Sequence, residues 1–438
     1  MNSATPKRPS IGARISRRTA SVVVSIVAVV LGIALGVLAA VLGLSISLPL
    51  GLIAGAVTLF ASVWVLTALA HKIWPSSKSI RPRLARRKAP YVVAGAALAI
   101  AGVAAGATVL APVEGEENPV AAIEPRYWDL DTGSRVAYWK FDAKTASTSD
   151  VPIIFVHGGP GGSNQAHDFE FFPELAATGH DVYLYDQPGA GFSPNLDLDD
   201  YTLERMVEDL DAIREETGSE KAIVIGQSAG GFVIEAYAAE HPEHVEKAIL
   251  TAPGGYLTSP EITAASAEEE KKREELGLNV DAGDIGNMNE KVTPRILTTI
   301  MLHSFGFSAA AENLTSQDDV KRWSAVALGD NTGLNFHANL MLAKDFGIHA
   351  EDTLEKLKEL DVPTMMLKPQ FDYVLWSVQY PYVEANRDMQ VVYIEDAEHT
   401  AWVKQPKAAR DAIATFIEGG TQDVYTGSES PAITLGSR

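Results

Sequence analysis

A serine between glycines, an aspartate after an apolar run and a histidine near the far end of this chain have the chemistry and the order needed for covalent catalysis by a hydroxyl. Ser228 stands in Gly226-Gln227-Ser228-Ala229-Gly230, directly after a short apolar, β-branched run. A serine on a tight strand-to-helix turn has its hydroxyl lifted above the sheet edge, and flanking glycines leave room for that backbone. Ser228 is therefore the candidate nucleophile. Upstream, Val151–Val156 empties into His157-Gly158-Gly159-Pro160-Gly161-Gly162. Such a loop can supply one backbone N–H to an oxyanion, while the residue after the nucleophile supplies another. Gly159 and Ala229 are assigned those places. Downstream, Val362–Lys368 leads to Asp372, and Met389–Ile394 leads to His399. Of ten histidines, His399 alone follows the last expected strand and precedes the last amphipathic helix, Pro406–Ile417. Asp396 is a rival acid only three residues from His399. Asp372 is preferred because it ends the preceding strand, from which a carboxylate can reach the imidazole N–H. There are no cysteines, so disulfides, thiolate metal sites and cysteine nucleophiles are excluded. Neither a metal nor a cofactor is expected.

These side chains require a frame that brings them to one edge. Val151–Val156, Asp181–Tyr185, Val245–Thr251, Val362–Lys368 and Met389–Ile394 read as strands alongside the run before Gly226, and Arg126–Leu130 and Arg135–Phe141 as two strands joined by a turn at residues 131–134. Gln165–Thr178 and Tyr201–Thr217 read as helices, the latter with Leu203, Met206, Val207, Leu210 and Ile213 at helical spacing. Alternating strands and helices predict an α/β fold, a mostly parallel sheet with helices on both faces. From Ala252 to Asp361 the strand pattern stops, and Ile262–Leu276, Thr293–His303, Gln317–Leu328 and Leu334–Phe346 read as helices of a lid at about 256–350. Glu268-Glu269-Glu270 reads as a solvated helix face. Asp186–Ser193 reads as a loop of tight turns, with no catalytic role for Asp186.

With these elements in place, Val151–Ile417 resembles the α/β-hydrolase family, and within it the proline iminopeptidase group of serine peptidases. The residues that carry the resemblance are His157–Gly162 (HGGPGG), Asp186–Ser193 (DQPGAGFS, close to that group's DQRGxGxS), Gly226–Gly231, Asp372 and His399. The resemblance implies the α/β-hydrolase fold with a helical lid, a Ser-His-Asp triad and an acyl-enzyme. It implies less about substrate. That group clamps the substrate's free amino terminus with lid carboxylates, one of them in a Trp-Ser-x-Trp-Glu-like segment. The matching stretch here is Trp323-Ser324-Ala325-Val326-Ala327, and the group's Trp after the nucleophile is Ala229. An ammonium left unpaired in a closed pocket is costly. Glu312 or the 268–270 run are the available substitutes.

The N-terminal quarter is of another kind. Ser21–Leu44, Leu48–Ala70 and Tyr91–Ala111 are uncharged and apolar, each long enough to cross a hydrocarbon core of about 30 Å. Residues 1–112 are accordingly read as a three-span membrane region, 113–125 as a linker, 126–418 as the hydrolase domain and 419–438 as a disordered tail. Five cations precede the first span, seven lie between the second and third, and none lies between the first and second. This pattern places the N-terminus and the 71–90 loop in the cytoplasm and everything after Ala111 outside. Each span carries a GxxxG (Gly32/Gly36, Gly51/Gly55, Gly102/Gly106), a pattern that lets helices approach closely and could receive a membrane-protein partner.

All 56 acidic residues lie beyond Ala111 with only 24 of the 36 basic ones, a formal net charge of −32 for the exported part. That sign disfavours nucleic acid. The expected partners are a small-molecule or peptide substrate and the lipid bilayer. Two classes of function are carried forward. One is a membrane-anchored serine hydrolase cleaving a peptide near its N-terminus, or an ester or amide of the cell envelope. The other is a non-catalytic scaffold for a membrane complex.

Overall fold

Strand β3 (Ile153–Val156) is buried at all four residues, and its alternate side chains feed different cores. Ile154 and Val156 pack in a cluster with Val224, Phe232 and Leu250, whereas Ile153 and Phe155 pack with Leu184, Ile225 and Phe172. A strand apolar on both faces belongs inside a sheet covered on both sides. In this computed structural model, which describes residues 11–73, 83–113, 124–145, 149–278, 291–328 and 333–435, that sheet has eight strands. The others are β1 (Arg126–Asp129), β2 (Arg135–Phe141), β4 (Val182–Tyr185), β5 (Ala222–Gln227), β6 (Val245–Thr251), β7 (Thr364–Phe371) and β8 (Gln390–Glu398). Their order is β1-β2-β4-β3-β5-β6-β7-β8. β2 runs antiparallel to both β1 and β4, and every pairing from β4 to β8 is parallel.

Helices in chain order are α1 (Ile11–Leu44), α2 (Leu48–Ile73), α3 (Arg83–Ala107), α4 (Ala166–Phe171), α5 (Leu203–Glu216), α6 (Ala229–Glu240), α7 (Pro260–Glu275), α8 (Pro294–Ser304), α9 (Ser308–Leu314), α10 (Gln317–Leu328), α11 (Phe336–Leu357), α12 (Trp376–Ala385), α13 (Ala401–Lys404), α14 (Pro406–Ile417) and α15 (Pro431–Leu435). The chain forms two compact units, Met1–Val113 with Thr293–Ser316, and Glu114–Val292 with Gln317–Arg438.

In the first unit, Val23–Leu44, Leu48–Ala70 and Lys88–Ala107 are long and apolar enough to cross a membrane. The third ends before the expected Ala111, because the backbone leaves the helix in turns at residues 108–110. Two of the three GxxxG pairs are packed. A Cβ on Gly32 would stand 2.4 Å from Val63, and one on Gly55 2.8 Å from Ala40, whereas Gly102 and Gly106 face open space.

Three expectations need correction. The segment Thr293–His303, expected in the lid, belongs with its successor α9 to the first unit. Its buried side is apolar, with Leu302, Ala310, Ala311 and Leu314 clustering with Leu44, so the segment has a core of its own to join. Of the acidic run, Glu269 is buried: its carboxylate accepts from Trp376 N (3.0 Å) and Ser377 N (2.8 Å), capping α12. The tail is ordered through residue 435. Tyr425 N donates to Val391 O at 2.7 Å, Trp376 Nε1 donates to Ser428 O, and Pro431 and Ala432 are buried in α15. Tyr425 thereby pairs with β8, the last strand of the sheet, whose outer edge otherwise has open hydrogen-bonding groups. The linker expectation at 113–125 falls mostly outside the described residues.

Candidate active site

Ser228 occupies the turn between β5 and α6 with φ 53° and ψ −119°. A non-glycine residue held there costs of order 1–3 kcal/mol, so its surroundings must impose the conformation. Close packing imposes it. A Cβ on Gly226 would lie 2.4 Å from Gly230 O, and one on Gly230 would lie 2.2 Å from Val156 O. The loop after β3 approaches as closely: a Cβ on Gly158 would stand 2.1 Å from Gln227 Oε1 and 2.9 Å from Ser228 Cβ.

Asp372 follows β7 and is wholly buried. Its Oδ1 accepts from His399 Nδ1 at 2.7 Å and from Val374 N at 3.0 Å. Its Oδ2 accepts from Lys368 Nζ at 2.8 Å and from Gln379 Nε2 at 3.3 Å. Burial alone pushes a carboxyl up, but the Lys368 ammonium and His399 outweigh it and hold Asp372 well below the usual carboxylate range. Burial pushes Lys368 down, against the pull of Asp372. The rival Asp396 is not the partner of His399. It sits at φ 51° with its N–H on Gln370 Oε1 (2.8 Å).

Ser228 and His399 line one cavity of about 290 Å³ together with Gly158, Gly159, Gly162, Tyr373 and Trp402. Gly159 thus borders the cavity, and Ala229 opens α6, where N–H groups and the helix dipole favour negative charge. Among the described residues His399 Nε2 has no hydrogen-bond partner. The Ser228 hydroxyl neighbours the phenol of Tyr373 and lowers its pKa, and the Tyr373 ring centroid lies 4.0 Å from that of His399. The Tyr373 side chain is 54% exposed, and partial desolvation of its hydroxyl, then the nearby Asp372 charge, raise its pKa, so it remains protonated.

Buried polar side chains shape the cavity wall. His157 is a fixture of the loop: its Nε2 accepts from Gln187 N at 2.9 Å, its Nδ1 faces Gly158 O, and burial pushes its pKa down. Asp186 ties two loops, accepting from Asn164 N at 3.0 Å and Phe192 N at 2.9 Å. Asn335 caps α11 and reaches Gly189 O and Gln317 Oε1 through Nδ2, while its own N–H donates to Gly161 O at 2.9 Å.

Of the residues weighed for the substrate amine, Ala327 lies on α10 and Glu312 on α9, in the first unit. Glu268 is paired with Lys272 at 3.1 Å. Glu270 and Glu274 line a second cavity of about 590 Å³ with Lys271, Arg273, Leu375 and, again, Tyr373. Sequence reasoning missed Tyr373, Lys368 and Asn335. A signal existed for two of them: a lysine inside an otherwise apolar strand, and an asparagine just before an amphipathic helix. Nothing in the pattern marks Tyr373.

Comparison with known proteins places the family. The profile of the alpha/beta hydrolase fold matches residues 151–281. A proline iminopeptidase of Heyndrickxia coagulans is 32% identical over 293 residues, spanning 65% of this chain and 96% of that protein. One of Saccharolobus solfataricus is 24% identical over 282 residues, 62% of this chain and 86% of the other. Among solved structures, a proline iminopeptidase of Mycobacterium smegmatis matches 68% of this chain and 98% of its own, with 17% identity and a TM-score of 0.46.

Proposed function

The chain belongs to the α/β-hydrolase family and is a hydrolase resembling the proline iminopeptidases, and from that premise we propose that it is a membrane-anchored serine hydrolase acting outside the cytoplasmic membrane through Ser228, His399 and Asp372. The observation that carries this reading is the 2.7 Å bond from His399 to a buried, charged Asp372, with Ser228 on a strained turn in the same cavity. Ser228 Oγ attacks the substrate carbonyl while His399 Nε2 accepts its proton, and Asp372 holds Nδ1–H and stabilises the imidazolium. The N–H groups of Gly159 and Ala229 receive the oxyanion. The imidazolium then protonates the leaving group, and water activated by His399 hydrolyses the acyl-enzyme. As substrate binds, the Ser228 hydroxyl turns from the neighbouring Tyr373 phenol to the base.

Two observations support an outward-facing site. The chain's first 112 residues hold every cation of the two segments assigned to the cytoplasm. The segment 293–316 packs at the Leu44–Leu48 end of the spans, away from the cationic end of α2.

A small acyl ester is the favoured substrate class, since the family's clamp position is Ala327. The second reading, an aminopeptidase, gains support from Glu270 and Glu274, whose cavity shares Tyr373 with the catalytic one. Labelling by a fluorophosphonate tests the common core: the full chain should be labelled and Ser228→Ala should not. An unlabelled full-length chain would favour the scaffold. The ratio of kcat/KM for a proline arylamide with free and acetylated amine then separates the two. A preference for the free amine of about a hundredfold, roughly 2.7 kcal/mol, would select the aminopeptidase.

A further inference from the structure

The helical pair α8–α9 presents an apolar stripe that the described residues leave exposed. Leu297, Met301 and Phe305 recur at intervals of four along one line and are 50%, 48% and 71% exposed. On the opposite side of the same pair, Leu302, Ala310, Ala311, Leu314 and Phe307 pack on Leu44, Val41, Leu48 and Leu110, where the first two spans meet and the third has just ended. Polar groups fasten this contact. Asn313 Nδ2 donates to Leu44 O at 2.8 Å, and Arg295 donates through NH1 to Ala111 O at 3.2 Å and through Nε to Leu314 O at 3.0 Å. Carbonyls at the ends of apolar helices lack intrahelical donors, and near hydrocarbon they must be satisfied by protein. The pair therefore sits at the depth where the spans leave the hydrocarbon, and its free stripe lies at that same level.

We infer that α8–α9 is an interfacial membrane element. Leu297, Met301 and Phe305 enter the acyl region of the leaflet that contains the Leu44–Leu48 turn, and the occupant of this surface is bilayer lipid. The inference rests on the reading of α1–α3 as membrane spans. Composition suits the role, since Pro294–Leu314 contains only Arg295 and Glu312 as formally charged residues, and an amphipathic helix lying in the interface buries its apolar side about 5–10 Å into the headgroup–acyl boundary. An aqueous location would instead leave three large apolar side chains in a row against water, next to the most apolar part of the molecule.

Because the chain has no cysteine, single sites can be labelled without background. Leu297→Cys, Met301→Cys and Phe305→Cys, each in the full-length chain, would carry a polarity-sensitive NBD label in phosphatidylethanolamine–phosphatidylglycerol vesicles. Val30→Cys in the first span and Lys407→Cys on the exposed side of α14 are the reference sites. The three hairpin labels are expected to lose roughly half their emission to doxyl lipid quenching near the headgroup, as an interfacial depth requires. Val30 should be quenched best by a deep doxyl and Lys407 by neither. Quenching at Val30 without quenching at the hairpin sites would overturn the inference and leave the spans standing. Absence of quenching at Val30 would remove the spans and the inference together.

Discussion

Two buried carboxylates in the hydrolase unit, Asp372 after β7 and Glu235 on α6, are treated in opposite ways. Asp372 has a cation, an imidazole, an amide and a backbone N–H around it, and is held well below the carboxylate range. Glu235, on α6 two turns after Ser228, is equally buried, yet neither of its oxygens has a hydrogen-bond partner, and burial pushes it up to about 8. Each has a tyrosine beside it. Tyr373 near Asp372 neighbours the Ser228 hydroxyl, while the hydroxyl of Tyr382 near Glu235 has no side-chain partner among the described residues. Depth does not decide the charge of a carboxylate here. The donors around it do: Asp372 is given them where a negative charge serves the proposed chemistry, and Glu235 has none among the described residues.

The contrast breaks most visibly at Asp372. Asp372→Asn keeps the shape and removes the charge, and a loss in kcat of about 10⁴ is expected, since the imidazole loses the partner that sets its tautomer. Asp396→Asn should be nearly silent. Ser228→Ala and His399→Ala should each remove almost all turnover, and the double variant should add little, because the members of a triad act as a unit. Steady-state kinetics on a chromogenic ester measures all five. A crippling Asp396→Asn with an active Asp372→Asn would reverse the assignment.

That much of the site could be read from residues alone, and for a local reason. An elbow serine needs glycines at fixed offsets, and an oxyanion loop needs a strand directly before it, so Gly226, Gly230 and Gly158 write the backbone's steric demands into the sequence. Strands buried on both faces announce themselves by continuous apolar runs, which is why β3, β4 and β5 were legible. What escaped depends on contacts distant in the chain. Glu269 looks like one of three solvated acids until α12, about a hundred residues later, brings it two N–H groups. Tyr425 looks like part of a polar tail until it finds β8. The helix Thr293–His303 has an amphipathic pattern that fits a lid as well as a membrane surface, and periodicity cannot tell which apolar body it will cover.

Glu235 should reveal itself through stability. Its folded pKa of about 8 lies above the ordinary value of 4.5, so the folded state holds a proton that the unfolded state releases. The stability this gives is complete below pH 4.5 and is lost as pH rises toward and through 8, on the order of 5 kcal/mol across the window. Glu235→Gln should flatten that slope and be more stable than the parent at pH 9, as read by urea unfolding in detergent at several pH values. Equal slopes for both proteins would mean that Glu235 has found donors and is charged after all.

Lys368→Met tests the other side of the comparison. Removing one partner of a buried pair costs about 3 kcal/mol or more, because the remaining charge has been desolvated for a partner that is gone. Asp372 retains Val374 N, Gln379 and His399, so the loss should fall at the lower end of that range. Unfolding of Lys368→Met and of the double variant Lys368→Met/Asp372→Asn checks this. The double variant should recover part of the stability, as two neutral groups need no counter-charge. No recovery would show that Lys368 acts through its bond to Val374 O (2.6 Å) and not through Asp372.

The smallest effect concerns the two tyrosines. Tyr382→Phe deletes a buried hydroxyl with no side-chain partner and should leave kcat/KM unchanged. Tyr373→Phe removes the phenol that neighbours the Ser228 hydroxyl, while His399 Nε2 has no partner among the described residues. A hydrogen bond between two such hydroxyls has a net value of about 0.5–1.5 kcal/mol, which a substrate would have to overcome before the serine turns to the base. Its removal should therefore raise the acylation rate by roughly threefold to tenfold, which single-turnover kinetics with a chromogenic ester would resolve from deacylation. The opposite result is equally informative. If Tyr373→Phe slows acylation tenfold or more, its hydroxyl stabilises the transition state, and the donors at Gly159 and Ala229 do not work alone.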